Sequence, residues 1–513
     1  MALGLTPKQI IDKGTHPLLV KKDTWLRVEL GDICNIQNGY AFSSKYFNHE
    51  KGLPLIRIRD IFQKATENLY SGEYSEDFLV RRNDFLIGMD GDFKISKWPG
   101  ELGLLNQRVC RIILQSNLMS KEYVFLCIQP YLDAIHSETS AVTVKHLSSK
   151  TISEIPIPLP PLPEQRAIVK KIEALFSSLD AGIADLKKAQ DQLKIYRQAV
   201  LKKAFEGELT KEWREKQTDL PTAEELKQAL KLIIDEALKN KNITKGNYFP
   251  DYANGSSGFN IPNKWNFFAL KAIVQPNKTS LKRGPFGSAL KKEFFIEKGV
   301  PVYEQGHAIN DEPFRHRYFI SDEKYEELKG FTAGPNDLII SCSGATLGRI
   351  CHLPQNADIG IINQALLKIS LNERIILHKY FIIMFRSEIF QRLIFEKSLG
   401  TAMPNMVGMN ELKDIAIPIP SIQEQAQIVK EIEARLSVCD TVEKQIQDSL
   451  SQAEALRQSI LKKAFEGKLL TEEEIKACQL EADYEPAAVL LEKIKAEKEA
   501  NKPVKKTKKK VRV

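Results

Sequence analysis

Base edges in the major groove of a duplex are read by Arg, Lys, Asn, Gln and small polar side chains, and phosphates are held by further cations and backbone amides. Side chains of these types recur in this sequence in polar or aromatic loops between short apolar runs. The first group is Tyr40, Ser43, Ser44, Lys45, Arg57, Arg59, Lys94, Lys97, Arg108 and Lys145. The second is Lys282, Arg283, Ser288, Gln305, His307, Ser343, Thr346, Arg349 and Asn405. Any one of them could equally be a solvated surface side chain. Asn106-Gln107 and Asn363-Gln364 recur in the two groups, as a shared turn or as a shared contact. Phe42 and Phe286 fit packing at a loop base better than stacking on nucleotides.

Other chemistries lack their residues. An adenine methyltransferase needs an Asn/Asp-Pro-Pro-aromatic string to hold a flipped base, and the chain has none. No G-x-G-x-x-G opens a helix after a strand, and no G-x-x-x-x-G-K-[ST] occurs. Gly344-Ala-Thr-Leu-Gly348 lacks the lysine of a phosphate cradle and reads as a turn. Asp90-Gly-Asp-Phe-Lys94 reads as a surface turn with incidental acids rather than a metal loop. Cys34, Cys110, Cys127, Cys342, Cys351, Cys439 and Cys478 stand singly, with no C-x-x-C pair. That argues against a zinc site or a disulfide framework and for a reduced cytosol. Cys351-His352 reads as a core thiol beside a strand-end histidine. These residues predict no catalytic and no metal site.

The elements that must position such loops form a repeat. Ile155-Pro-Ile-Pro-Leu-Pro-Pro-Leu-Pro-Glu-Gln165 returns as Ile415-Ala-Ile-Pro-Ile-Pro-Ser-Ile-Gln-Glu-Gln425. Arg197-Gln-Ala-Val-Leu-Lys-Lys-Ala-Phe-Glu-Gly-Glu-Leu209 returns as Arg457-Gln-Ser-Ile-Leu-Lys-Lys-Ala-Phe-Glu-Gly-Lys-Leu469. Glu164 and Glu424, Asp180 and Asp440, and Gly207 and Gly467 are all 260 positions apart, so the register never slips. Between the blocks lies a helical pattern from Glu164 to Gly207. Ile172, Leu179, Leu186, Leu193 and Val200 are spaced by seven; Ile168, Leu175, Gly182, Ala189 and Tyr196 fill the other seam position. The second copy has Ile432, Cys439, Ile446, Ala453 and Ile460, with Ile428, Arg435, Val442, Ser449 and Leu456. Seam residues that are small in one copy are often large in the other. This favours packing of the two helices on each other, over two helices each buried against its own domain. Ser421-Ile-Gln-Glu424 predicts a capping box.

Length and composition agree with several soluble domains. The chain has 513 residues, 43% hydrophobic and 27% charged, with no apolar run long enough to span a bilayer. No export signal is visible at Met1 to Ile11. The formal charge of +8 is concentrated at the end: residues 502–513 hold seven cations and no acid, leaving the remainder near +1. A basic tail binds polyanions without sequence preference, or is simply solvated.

The organisation predicted is 1–153, a first mixed domain; 154–240, a helical spacer region; 241–260, a linker rich in Asn, Gly and Ser; 261–413, a second mixed domain; 414–470, a second spacer; 471–501, a C-terminal helical region; and the tail 502–513. Trp25, Leu30 and Ile33 match Trp265, Leu270 and Ile273, 240 positions apart. Between such anchors the two domains diverge, as expected of two readers with different targets.

These features resemble the specificity subunit of type I restriction-modification enzymes. The residues that carry the resemblance are the Pro-rich stretch ending in Glu164-Gln165, the block Arg197 to Leu209 with Thr210-Lys-Glu-Trp213, and their second-half copies. Gly39-Tyr-Ala-Phe-Ser-Ser44 and Arg283-Gly-Pro-Phe-Gly-Ser288 are similar to segments that open its target recognition domains. The resemblance implies an α+β fold: two mixed α/β target recognition domains joined by two long helices packed as an antiparallel coiled coil, with a pseudo-twofold internal repeat. It implies that each domain reads one half of a split, asymmetric double-stranded DNA site, and that the helices set the gap. It implies docking of modification (methyltransferase) subunits, usually two, and of restriction motor-nuclease subunits. No cofactor is expected in this chain; S-adenosylmethionine, ATP and magnesium belong to the partners. No membrane is implied, and the setting is the prokaryotic cytoplasm. A related combined restriction-methylation (type IIB-like) system, a methyltransferase or nuclease with degenerate motifs, and a protein-only coiled-coil adaptor are the alternatives.

Overall fold

The structure, a computed structural model, describes residues 5–14, 16–63, 65–138, 146–244, 259–286, 289–344, 346–395 and 406–500. Lys145, Ser288, Asn405 and the tail 502–513 lie outside the described residues. The chain forms two compact units: residues 1–186 with 448–513, and residues 187–447. Each unit thus takes one domain, the first part of the long helix that follows it and the last part of the other long helix.

In the first unit, Cys34–Asn38, Val109–Leu114, Phe85–Gly88 and Ile95–Lys97 form a four-stranded antiparallel sheet in that spatial order. A smaller five-stranded sheet runs Phe47–Asn48, Leu69–Tyr70, Leu53–Ile56, Gly103–Leu105, Leu79–Val80, with Leu53–Ile56 parallel to Gly103–Leu105. The second unit repeats the plan with Leu281–Arg283, Leu366–Ser370, Asp337–Ser341 and Ile350–His352. Its smaller sheet is Phe319–Ile320, Val300–Tyr303, Gly360–Ile362 and Thr332–Ala333. The strands read as short apolar runs because both faces are covered; Phe85–Gly88 and Leu366–Ser370 are buried throughout.

Each Pro-rich stretch forms an edge ladder. Pro156–Leu159 pairs with Leu26–Glu29, and Ala416–Ile419 with Asn266–Ala269. A two-stranded ladder leaves one edge of each strand unpaired, so prolines are tolerated there. The chain then turns into helices of 44 residues, Leu162–Phe205 and Ile422–Phe465. Gly207 (φ 71°) and Gly467 (φ 69°) end them in the left-handed region, as expected of helix-stop glycines.

The Glu-Gln pairs at the helix starts act as bolts. The Glu164 carboxylate accepts from Trp25 Nε1 at 3.3 Å, and Glu424 accepts from Trp265 Nε1 at 2.9 Å. Fully buried Gln165 donates to Pro160 O and accepts from Ser120 N; Gln425 donates to Pro420 O and accepts from Leu377 N. The capping box expected at Ser421 is half present. Ser421 Oγ accepts from Glu424 N, but the Glu424 side chain is taken by Trp265, Thr210 and Arg214. The buried donors of neighbouring elements take this carboxylate from the backbone of its own helix start.

Within each unit the two long helices run antiparallel. In the first, Asp180 pairs with Arg457, whose guanidinium covers the Phe176 ring. In the second, Arg197 pairs with Asp440 at 2.7 Å and Glu443 at 2.9 Å. Arg197 and Arg457 are repeat equivalents, as are Asp180 and Asp440, so one ion pair is made twice. The seam differs from the heptad expectation. Ile172, Val200, Ile432, Cys439, Ile446, Ala453 and Ile460 are buried, and Leu179, Leu186 and Leu193 half-buried. The other seam position is buried only at the helix starts, at Ile168 and Ile428; Ala189, Arg435 and Ser449 are half-buried, and Leu175, Gly182, Tyr196, Val442 and Leu456 are exposed. Two helices alone cover one stripe, and past the helix starts the second apolar line is only partly covered.

Candidate nucleic-acid interface

Both domains build the same turn from their Asn-Gln dipeptides. A Cβ on Gly39 would lie 2.0 Å from the Asn106 carbonyl oxygen, and one on Gly284 would lie 1.9 Å from that of Asn363. Glycine is therefore demanded by close backbone approach. Tyr40 N–H donates to Leu105 O, Gln107 N–H to Tyr40 O, Gly284 N–H to Leu366 O, and Leu366 N–H to Asn363 O. The dipeptide is thus a shared structural turn, and it leaves Gln107 and Gln364 exposed at its tip. Because Gly39 and Gly284 are equivalent, Phe286 stands where the first domain has Ala41, not Phe42. This explains why Phe42 is buried against Tyr70, whereas Phe286 is exposed beside Arg283. Packing at the loop base holds for Phe42 and not for Phe286.

In the first domain the turn carries a polar rim. Tyr40 is half exposed, its ring held against Phe42 and Phe78 at 5.2 and 5.1 Å. Arg108, with φ 72°, sends Nη1 to Asp90 Oδ2 at 2.8 Å, and Asp90 Oδ1 meets His146 Nδ1 at 2.6 Å. Asp90 and His146 also form an isolated bridge. Asp90 is therefore engaged with a guanidinium and an imidazole, so it is not the incidental acid of the sequence reading, and Phe93 in the same turn is buried. Neither Asp90 nor His146 was among the sequence candidates; a carboxylate matters here through partners far along the chain.

In the second domain the corresponding residues form a neutral side-chain cluster over buried Ser341, with exposed Arg349 bonded through its backbone to Ser341 and Thr346. Gln305 opens the helix Gln305–Asn310 and its Nε2 reaches Ser341 Oγ and Ser343 O at 2.6 Å and Thr346 Oγ1 at 3.5 Å. Three predicted residues, Gln305, Ser343 and Thr346, are thereby brought together, with Ser341 added. His307 is buried, and Glu304 N–H donates to its Nδ1 at 3.0 Å. Burial lowers its pKa. It caps its helix from inside the domain.

The remaining candidates lie elsewhere. Ser43, Ser44 and Lys45 lie at the short helix Ser44–Tyr46, exposed. Arg57 caps the turn Ile58–Asp60 with Asp60 3.7 Å away, and Arg59 is exposed on that turn. Lys94 pairs with Asp133 at 3.6 Å, and Lys97 lies over Phe85 and Phe125. Lys282 lies over Phe331, directly across from Lys368, a buried lysine that sequence patterning missed. Burial lowers the Lys368 pKa, against the pull of Asp337. Arg349 is exposed and, with Arg386, Asp311 and Asn310, lines a polar cavity of about 580 Å³. Gly344 and Gly348 belong to a turn. Burial pushes the Cys110, Cys127, Cys342 and Cys351 thiols up to about 12, so none is a ready nucleophile. Among the described residues no group of three or more metal-capable side chains is gathered.

The profile of the type I restriction modification DNA specificity domain matches residues 22–188 and again 262–452. The chain belongs to this family. The type I restriction enzyme EcoBI specificity subunit of Escherichia coli is 34% identical over 504 residues, covering 98% of each chain. The EcoDI specificity subunit of Escherichia coli is 25% identical, covering 93% of this chain and 96% of its own. A solved chain from work on complex assembly and conformational transition of the type I R-M system has a TM-score of 0.57 at 18% identity, covering 88% of this chain and 99% of that one. That likeness shows the fold alone. In this family the specificity chain is the DNA-recognition component and not the catalyst, and the two family matches coincide with the two loop-bearing domains. Among the described residues no helix is long and apolar enough to cross a membrane.

Proposed function

We propose that each domain reads one half of a split, asymmetric double-stranded DNA site, and that the two long helices set the interval between the half-sites. The helices also dock modification subunits, usually two, which hold S-adenosylmethionine; restriction motor-nuclease subunits, with ATP and magnesium, join the same complex. The setting is the prokaryotic cytoplasm, in keeping with seven free cysteines. The observation that carries this reading is one scaffold used twice with different rims. Both domains share the turn at Gly39–Asn106 and Gly284–Asn363, yet one mounts Arg108–Asp90–His146 and the other Gln305–Ser341–Ser343–Thr346. Exposed apolar residues at the second seam position, Leu175 and Leu456 in the first unit and Tyr196 and Val442 in the second, supply surface for the modification subunits.

Replacing residues 261–413 with the matching domain of a relative should change one half-site and leave the other intact in a methylation map. A change in both would overturn independent reading. Adding four residues to each helix, near Ala189 and Ser449, keeps the helix faces and adds ~6 Å. At ~3.4 Å per base pair the preferred gap should grow by up to about two pairs. An unchanged gap in a folded variant would remove the helices as the ruler.

A further inference from the structure

We infer that Arg108 selects a guanine in the half-site read by the first domain, with Asp90 as its positioning residue. The inference rests on the DNA-reading function proposed above and assigns one contact within it.

Four observations carry it. Arg108 sits at the tip of the Asn-Gln turn, with its side chain 55% exposed, beside exposed Gln107 and half-exposed Tyr40. One guanidinium nitrogen is tied to Asp90 Oδ2 at 2.8 Å, while the other Asp90 oxygen meets His146 at 2.6 Å. One guanidinium nitrogen is therefore fixed, while the side chain as a whole stays more than half exposed. The second domain has Ala365 at the equivalent turn position and Ser343 where the first has Asp90, so the device belongs to one reader only.

The choice between a base and a phosphate follows from the carboxylate. A phosphate contact gains from net positive charge. Asp90 offsets that charge and would itself repel a phosphate. The fork of N–H donors survives the pairing, and guanine O6 and N7 are the acceptors that such a fork matches in the major groove. A side chain already held by a partner also loses less conformational freedom on binding.

The test uses the full-length chain assembled with its modification subunits, and selection of bound sequences from a randomised library at several salt concentrations. The wild-type complex should return a split consensus with a G·C pair in the first domain's half-site; absence of any consensus would refute the DNA-reading function itself. Arg108→Ala and Arg108→Lys should both lose discrimination at that one pair by about 10- to 100-fold, leaving the other positions and the salt slope unchanged. Asp90→Asn should relax the same pair to a lesser degree. The inference is overturned if Arg108→Ala weakens all sequences alike, lowers the salt slope by about one and is rescued by lysine, for that is a phosphate contact. It is also overturned if the consensus of the Arg108 variants matches the wild type. An Asp90→Asn consensus identical to wild type removes the positioning role.

Discussion

The two units bury the same carboxylate in two ways. Glu424 is enclosed by Trp265 Nε1, by Thr210 Oγ1 at 2.7 Å and by Arg214. Its repeat equivalent Glu164 accepts from Trp25; burial raises its pKa, and Lys22 only partly offsets that. The repeat equivalents of Thr210 and Arg214 are Leu470 and Glu474, and Glu474 turns instead to Lys171 at 2.5 Å. The scaffold is common but its charges are not. Glu474 in the seat of Arg214 would face the buried Glu424, and Lys171 stands where the second helix has Glu431. Exchange of the segments that follow the two helices would therefore bring Glu474 against buried Glu424, a like-charge contact that disfavours it.

The largest expected difference follows from Arg214, which is almost fully buried against Glu424. Glu424→Gln strands that guanidinium and should cost about 3–5 kcal/mol. Glu164→Gln removes no such partner and should stay within about 1 kcal/mol. Hydrogen exchange around Trp265 and Trp25 would resolve the two; equal losses would end the distinction. Next, burial raises the Glu164 pKa above its ordinary value of 4.5. The folded unit therefore binds this proton more tightly than the unfolded chain does. That contribution is full below 4.5 and is lost as pH rises through the folded value. Exchange protection near Trp25 should thus strengthen as pH is lowered from neutrality, and Glu164→Gln should abolish that trend.

The smaller differences lie along the helices. Gly182 stands in mid-helix where the repeat has Val442, and a Cβ there meets nothing within 4 Å. Gly182→Ala should stabilise by about 0.5–1 kcal/mol from helix propensity, read as a higher midpoint in urea. Destabilisation would mean the notch is occupied by packing not seen in this chain. Smallest is Lys171→Ala, which should cost about 0.2–1 kcal/mol because the pair is partly exposed, and the cost should shrink at high salt.

The repeat, the helices and the strand-rich domains were legible because each rests on local signals: sevenfold spacing, proline restriction, turn residues. The edge ladders that hold Pro156–Leu159 and Ala416–Ile419 were not, since their partners lie more than a hundred residues away. The helical pattern places Glu164 at its start, and only the fold shows Trp25 bonded to it. The second seam position was expected to pack; a spacing of seven marks an apolar line but does not say what covers it. The reading rims were half legible. Gln305, Ser343 and Thr346 have the right residue types, yet His307 has them too and is a cap. Asp90 looked incidental until Arg108 and His146 were placed beside it.

The last helix described, Ala487–Ala500, packs on the first domain, with Ser116 bonded to Glu497 at 2.6 Å and Lys498 meeting Asp32. The second domain has its own such helix, Ala223–Lys239, just ahead of it in sequence, where Asn266 meets Ala223. During synthesis, then, the later domain can finish first. The earlier one must wait for residues 187–447 to be made before its closing pieces emerge, on the order of tens of seconds at ribosomal rates. A polypeptide cut short anywhere before the final helix leaves its first-made domain open, and so exposes to proteases and chaperones any product that holds only one complete reader.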